Sequence, residues 1–114
     1  MNVEEALKIH DRLASGYSEY ARQFEGGTGL AVGCEGIEYR WKADLIRMVV
    51  SKILEGGDLA EIEKEAKETA LDWVAKHNAR RPKDMNWQRW EGSAFSAIES
   101  VCRDVHQARE SEGI

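Results

Sequence analysis

Cys102 and His106 stand four residues apart, a spacing that turns two side chains to one side of a helix, where a zinc-like ion accepts a thiolate and an imidazole. His10 and Cys34 would complete a Cys2His2 set from distant segments. Neither C-x-x-C nor H-E-x-x-H occurs in the chain. A simpler reading makes Cys102 a small core hydrophobe and His10 a hydrogen-bonded core histidine on an apolar helix line. Nucleophilic catalysis would need Cys34 held against one of the three histidines, and no spacing brings them together. The glycine-rich run GGTGLAVGCEG at 26–36 suggests a phosphate cradle, but no Lys-Ser or Lys-Thr follows it. The chain is therefore read as non-enzymatic, with no cofactor and no metal.

A different chemistry lies in KHNARRPKDMNWQRW, residues 76–90. Five cations there, Lys76, Arg80, Arg81, Lys83 and Arg89, oppose a single Asp84, and two of the four tryptophans, Trp87 and Trp90, accompany them. Arginine and tryptophan are the commonest anchors of binding surfaces. The expected contact set is Arg80, Arg81, Lys83, Trp87, Arg89 and Trp90. Forked arginine bonds to carboxylates or phosphates would combine with an indole in a pocket. The same residues could neutralise phosphates and stack on unpaired bases, which keeps nucleic acid as the alternative partner. Helical spacing sets a rival fate for the tryptophans, because Trp87 and Trp90 open an apolar stripe that should carry at least one of them into the core.

The rest of the chain is acidic. Its 21 acidic residues outnumber 16 basic ones, which disfavours broad coating of a polyanion. Glu61, Glu65, Glu68 and Asp72 recur at helical spacing and form a second candidate face, suited to a basic, nucleic-acid-binding protein. Interleaved with lysines, they resemble a solvated helix surface rather than an acid/base pair.

The elements that must position these groups are helices. Asn2 with Glu5 caps a first helix over 3–25, with a stripe that includes Val3, Ala6, Leu7, Leu13, Ala14, Tyr17, Tyr20, Ala21 and Phe24. A flexible glycine-rich loop is expected over 26–36. A second helix over 37–55 is apolar through more than one face, from Trp41 to Leu54, which places it at the centre or shares it with a second copy. Asp58 and Glu61 cap a third helix over 59–79, and a fourth follows Pro82 over 86–109. The predicted fold is all-α, one domain of about four helices packed as a compact bundle.

No apolar run approaches the roughly 20 residues that span a bilayer, and no secretory signal opens the chain. A cytoplasmic location with free thiols and no membrane partner is expected. The expected function is a non-catalytic helical module that binds another macromolecule, most simply a protein, as a regulator, adaptor or inhibitor. By size and style such modules include phage and mobile-element proteins that inhibit nucleic-acid-binding host defence proteins. Nucleic-acid binding through 76–90 is the alternative, and a small metal-binding or enzymatic domain the second. A homodimer is compatible with the wide apolar arc.

Overall fold

Helices start where a side chain supplies the acceptor that the first turn lacks. The Glu5 N–H donates to Asn2 Oδ1 at 2.8 Å, and the Glu61 N–H donates to Asp58 Oδ2 at 3.1 Å. A computed structural model describes residues 2–25, 34–78 and 87–113 of the chain. They form α1 (Val3–Glu25), α2 (Cys34–Leu54), α3 (Leu59–Asn78) and α4 (Trp87–Ser111), an all-α four-helix bundle. Helix α2 begins at Cys34 rather than near 37, so the backbone of Gly36 is helical. The roughly 1 kcal/mol that glycine costs in a helix is outweighed by the packing of α2. Helix α4 runs to Ser111, two residues beyond the expected end.

Contacts across the bundle define its direction. Val3 N–H reaches Glu112 Oε1 and His10 reaches Asp104, so α1 and α4 are antiparallel neighbours. Lys67 pairs with Glu99 while Leu59 shares a pocket with His106, and Lys52 pairs with Glu65 while Trp41 meets Trp73 at a tilt, so α3 is antiparallel to α4 and to α2. Helices α2 and α4 run parallel across the diagonal, with Lys42 bonded to Ser93 and Trp90 to Glu38. They touch each other and both remaining helices, whereas α1 and α3 do not meet. The six largest fully buried side chains, Leu45, Ile46, Val49, Ile98, Val101 and Val105, all come from this diagonal pair.

The outer helices pack on it with smaller groups. Helix α1 buries Ala6, Ala14 and Ala21 against a neighbour that offers Ala43, and α3 buries Ala66 and Ala70 beside Ile62 and Val74. Between α2 and α3 the chain turns at Gly56, whose φ of +92° is a left-handed conformation that side chains disfavour. Gly56 and Gly57 donate to the carbonyls of Ile53 and Lys52, closing the end of α2.

Two parts of the expected core lie elsewhere. Leu13 and Tyr20 on α1 are 48% and 45% exposed, and Leu54 at the end of α2 is 71% exposed. Helix α1 turns its alanines inward, so its larger flanking residues meet solvent. Leu54 falls in the last turn of α2, beyond the reach of the core.

Mid-helix glycines test the packing. A Cβ at Gly92 in α4 would meet nothing within 4 Å, so Gly92→Ala should stabilise the fold by about 0.5–1 kcal/mol. Ile98→Ala, which empties a fully buried position, should cost about 2–5 kcal/mol. Urea unfolding of both variants checks the pair.

Candidate binding groove

The tryptophan that closes the basic segment is a core residue. Trp90 is 3% exposed, its ring meets Trp41 edge-on at 5.6 Å, and its indole N–H donates to the Glu38 carbonyl at 3.0 Å. It holds the start of α4 on α2 and is not a surface anchor, which removes it from the expected contact set. A buried indole needs an acceptor for its N–H, and the α2 backbone provides one. Arg89, one residue earlier, points outward. Arg80, Arg81 and Lys83 lie outside the described residues, as does the side chain of Trp87.

The acidic face exists as expected. Glu61, Glu65, Glu68 and Asp72 are all exposed along α3. Part of its charge is answered within the fold: Glu65 lies 2.8 Å from Lys52 and Asp72 lies 2.9 Å from Lys76. Glu65 raises the pKa of the Lys52 ammonium through its hydrogen bond and its charge. On the same helix Glu63 pairs with Lys67 at 3.5 Å, and Lys67 also reaches Glu99 of α4 at 3.4 Å.

Of the candidate metal ligands, Cys102 and His106 line one pocket between α3 and α4 with Glu63, whereas His10 lies on the other side of α4. His10 is buried and bonds Asp104 Oδ2 at 2.7 Å on the α1 side of α4. Cys102 sits toward α3, buried in the core cluster, and His106 is exposed beside Glu110 at 3.0 Å. Among the described residues no three metal-ligating side chains gather. The Cys34 side chain lies outside them. Burial pushes the Cys102 thiol up to about 11, assisted by Glu63 and opposed by Lys67. A thiol so protonated is a poor nucleophile.

What the fold assembles instead is a groove between α1 and α4. Its α1 wall carries large side chains, Leu13 and Tyr17, and Ile9 and Tyr20 follow Leu13 at helical spacing along α1, with the Tyr20 ring edge-on to Tyr39 of α2 at 4.7 Å. The α4 wall is small, formed by Ser93, Ser96, Ala97 and Ser100. The floor is α2, which sends up Ile46 and Lys42. The groove holds a cavity of about 380 Å³, and a second of about 280 Å³ adjoins it at Lys42 and Ser93, extending to Arg89. At one end the His10–Asp104 pair closes α1 onto α4.

Lys42 is half-buried on this floor. Its ammonium donates to Ser93 Oγ at 2.7 Å and lies 4.7 Å from the centre of the Tyr17 ring. Both partners are neutral, and among the described residues Lys42 makes no ion pair. The exposed Gly16 and Gly92 fall beside the same groove at helical spacing, on α1 and α4 respectively.

The chain matches no family model, no curated protein and no solved structure. Among the described residues no helix is long and apolar enough to cross a membrane.

Sequence reasoning passed over Ile9, Lys42, Ser93, Ser96, Ser100 and Asp104. The serine wall leaves a signal, since 93, 96 and 100 share one helix side. Its meaning appears only once α1 is known to face it.

Two outcomes follow. Asp104→Ala leaves the buried His10 without its partner and should cost about 1–3 kcal/mol in urea unfolding. With its thiol at about 11, Cys102 should be alkylated at pH 8 on the order of a hundredfold more slowly in the folded protein than in urea, where the ordinary value near 8.5 returns. Peptide mass spectrometry at Cys102 reads both rates.

Proposed function

We propose that the protein is a non-catalytic helical module that works by binding another protein in the α1–α4 groove. The observation that carries this reading is the line of Ile9, Leu13 and Tyr20, 42%, 48% and 45% exposed, along one flank of α1, with Leu13 lining the groove opposite a wall of small residues. Burying such a side chain fully contributes roughly 1.5–3 kcal/mol, so a line of three half-exposed ones is a favourable place for a partner to cover. Spacings of four and seven residues on α1 match the anchors by which helices dock along a groove. A role as regulator, adaptor or inhibitor follows from occupying a partner's surface, without chemistry.

The acidic face of α3 supports the reading less well, because Lys52 and Lys76 already answer two of its carboxylates. A second apolar notch of about 650 Å³, where Leu54 projects beside Val3, Leu7 and Val50, presents one strongly exposed anchor rather than a line of them, and the Glu4–Lys8 pair on its rim is already formed. Nucleic-acid binding loses one of its two proposed stacking rings with the burial of Trp90.

Affinity capture with the tagged protein from its native cell tests the surface. A partner retained by the wild type should be lost, or weakened at least about tenfold, on Leu13→Glu, as expected for a central anchor. The same partner should persist on the Arg80→Glu, Arg81→Glu double variant and on Glu61→Lys, Glu65→Lys, Glu68→Lys. Loss on either of those, with Leu13→Glu unaffected, would move the interface away from the groove.

A further inference from the structure

The geometry points to the kind of partner segment that the groove takes: an amphipathic helix with an Asp or Glu carboxylate set within its apolar face. This rests on the groove being the docking surface and specifies its occupant.

The argument begins with Lys42. An ammonium half-removed from water loses solvation, and a hydroxyl and an aromatic face recover only part of it. Ser93 and Tyr17 are its only partners among the described residues. The other half-buried lysines of the bundle differ: Lys52 has Glu65 at 2.8 Å, and Lys67 has Glu63 and Glu99 at 3.5 and 3.4 Å. Lys42 thus stands on the groove floor as a cation with no carboxylate partner among the described residues.

Among the described residues, no carboxylate near this groove pairs with Lys42. Asp104 pairs with His10 at 2.7 Å and lies 3.8 Å from Arg103. Glu38 lines the second cavity one helical turn from Lys42. The acidic surplus on α3 lies diagonally across from α1. An arriving carboxylate therefore meets a local cation with few competing anions. As it docks and excludes water, its attraction to Lys42 strengthens, because screening falls with the local dielectric.

The shape selects a helix. Apolar residues of the ligand would lie along Ile9, Leu13 and Tyr20, a span of about three turns at 1.5 Å per residue. Its carboxylate would sit over Lys42 near Tyr17 and Ser93. The small wall of Ser93, Ser96 and Ser100 allows a docked backbone to come close, and its hydroxyls can donate to the same carboxylate.

A display library of 16-residue helical peptides, randomised on one face and selected on the full-length protein, tests this. Enriched peptides should carry Asp or Glu between apolar anchors and shift the amide NMR signals of α1 and α4 around Leu13 and Ser96. Changing that acid to Gln or Asn should weaken binding on the order of tenfold, as for a desolvated charge pair. On Lys42→Met the acidic peptide and its amide version should bind alike. The change on the peptide side keeps the test decisive even where Lys42→Met perturbs folding.

If the selected peptides occupy the groove but lack an acid, or bind Lys42→Met unchanged, this inference fails and the docking surface stands. Peptides that shift only α3 signals, or no peptides at all, overturn both. Sedimentation showing a dimer that Leu13→Glu abolishes would assign the groove to a second copy and overturn the acidic occupant.

Discussion

The seam between α2 and α4 is the contact on which the bundle depends. These two helices supply every one of the largest fully buried side chains, and they alone touch all the others. At one end of the seam the indole of Trp90 is inserted beside Trp41 and tied to the Glu38 carbonyl, which sets the register of α4 on α2. That register brings Ser93 to Lys42 and places Asp104 opposite His10. A change of one residue in α4 would rotate its serine wall by about 100° away from α1, because a turn holds 3.6 residues.

With a diagonal pair carrying the core, the two remaining helices need only shallow faces. Helix α1 meets this requirement largely with alanines, and its bulkier residues spread to the flank. The groove beside α4 follows from that division of labour. It combines half-exposed aliphatic and aromatic groups, a wall of hydroxyls and a half-buried ammonium. Cys102, protonated and buried, faces the opposite side of α4. The groove has the makings of a binding surface.

Much of the fold was legible in the residues. Asn2 and Asp58 announced the starts of α1 and α3 because a short oxygen-bearing side chain before an apolar period has one favourable use. The breadth of the apolar arc on α2 anticipated its central place. His10 as a bonded core histidine and Cys102 as a core thiol were likewise readable from their helix lines. The candidate site was not. Leu13 and Tyr20 share a period with Ala14 and Ala21, and periodicity alone cannot tell which edge of a wide stripe the neighbouring helix covers. Trp90 gained its place in the core from a tertiary acceptor on α2, invisible in its own segment. Lys42 looked like any solvated lysine until Tyr17 and Ser93 were seen around it.

The central claim is that a protein partner occupies the groove between α1 and α4. Hydrogen–deuterium exchange of the protein, alone and saturated with its captured partner, tests that claim most directly. Slowed exchange should fall on α1 between residues 9 and 20 and on α4 between 92 and 100. Protection confined to α3 between 61 and 72, with α1 and α4 unchanged, would contradict it.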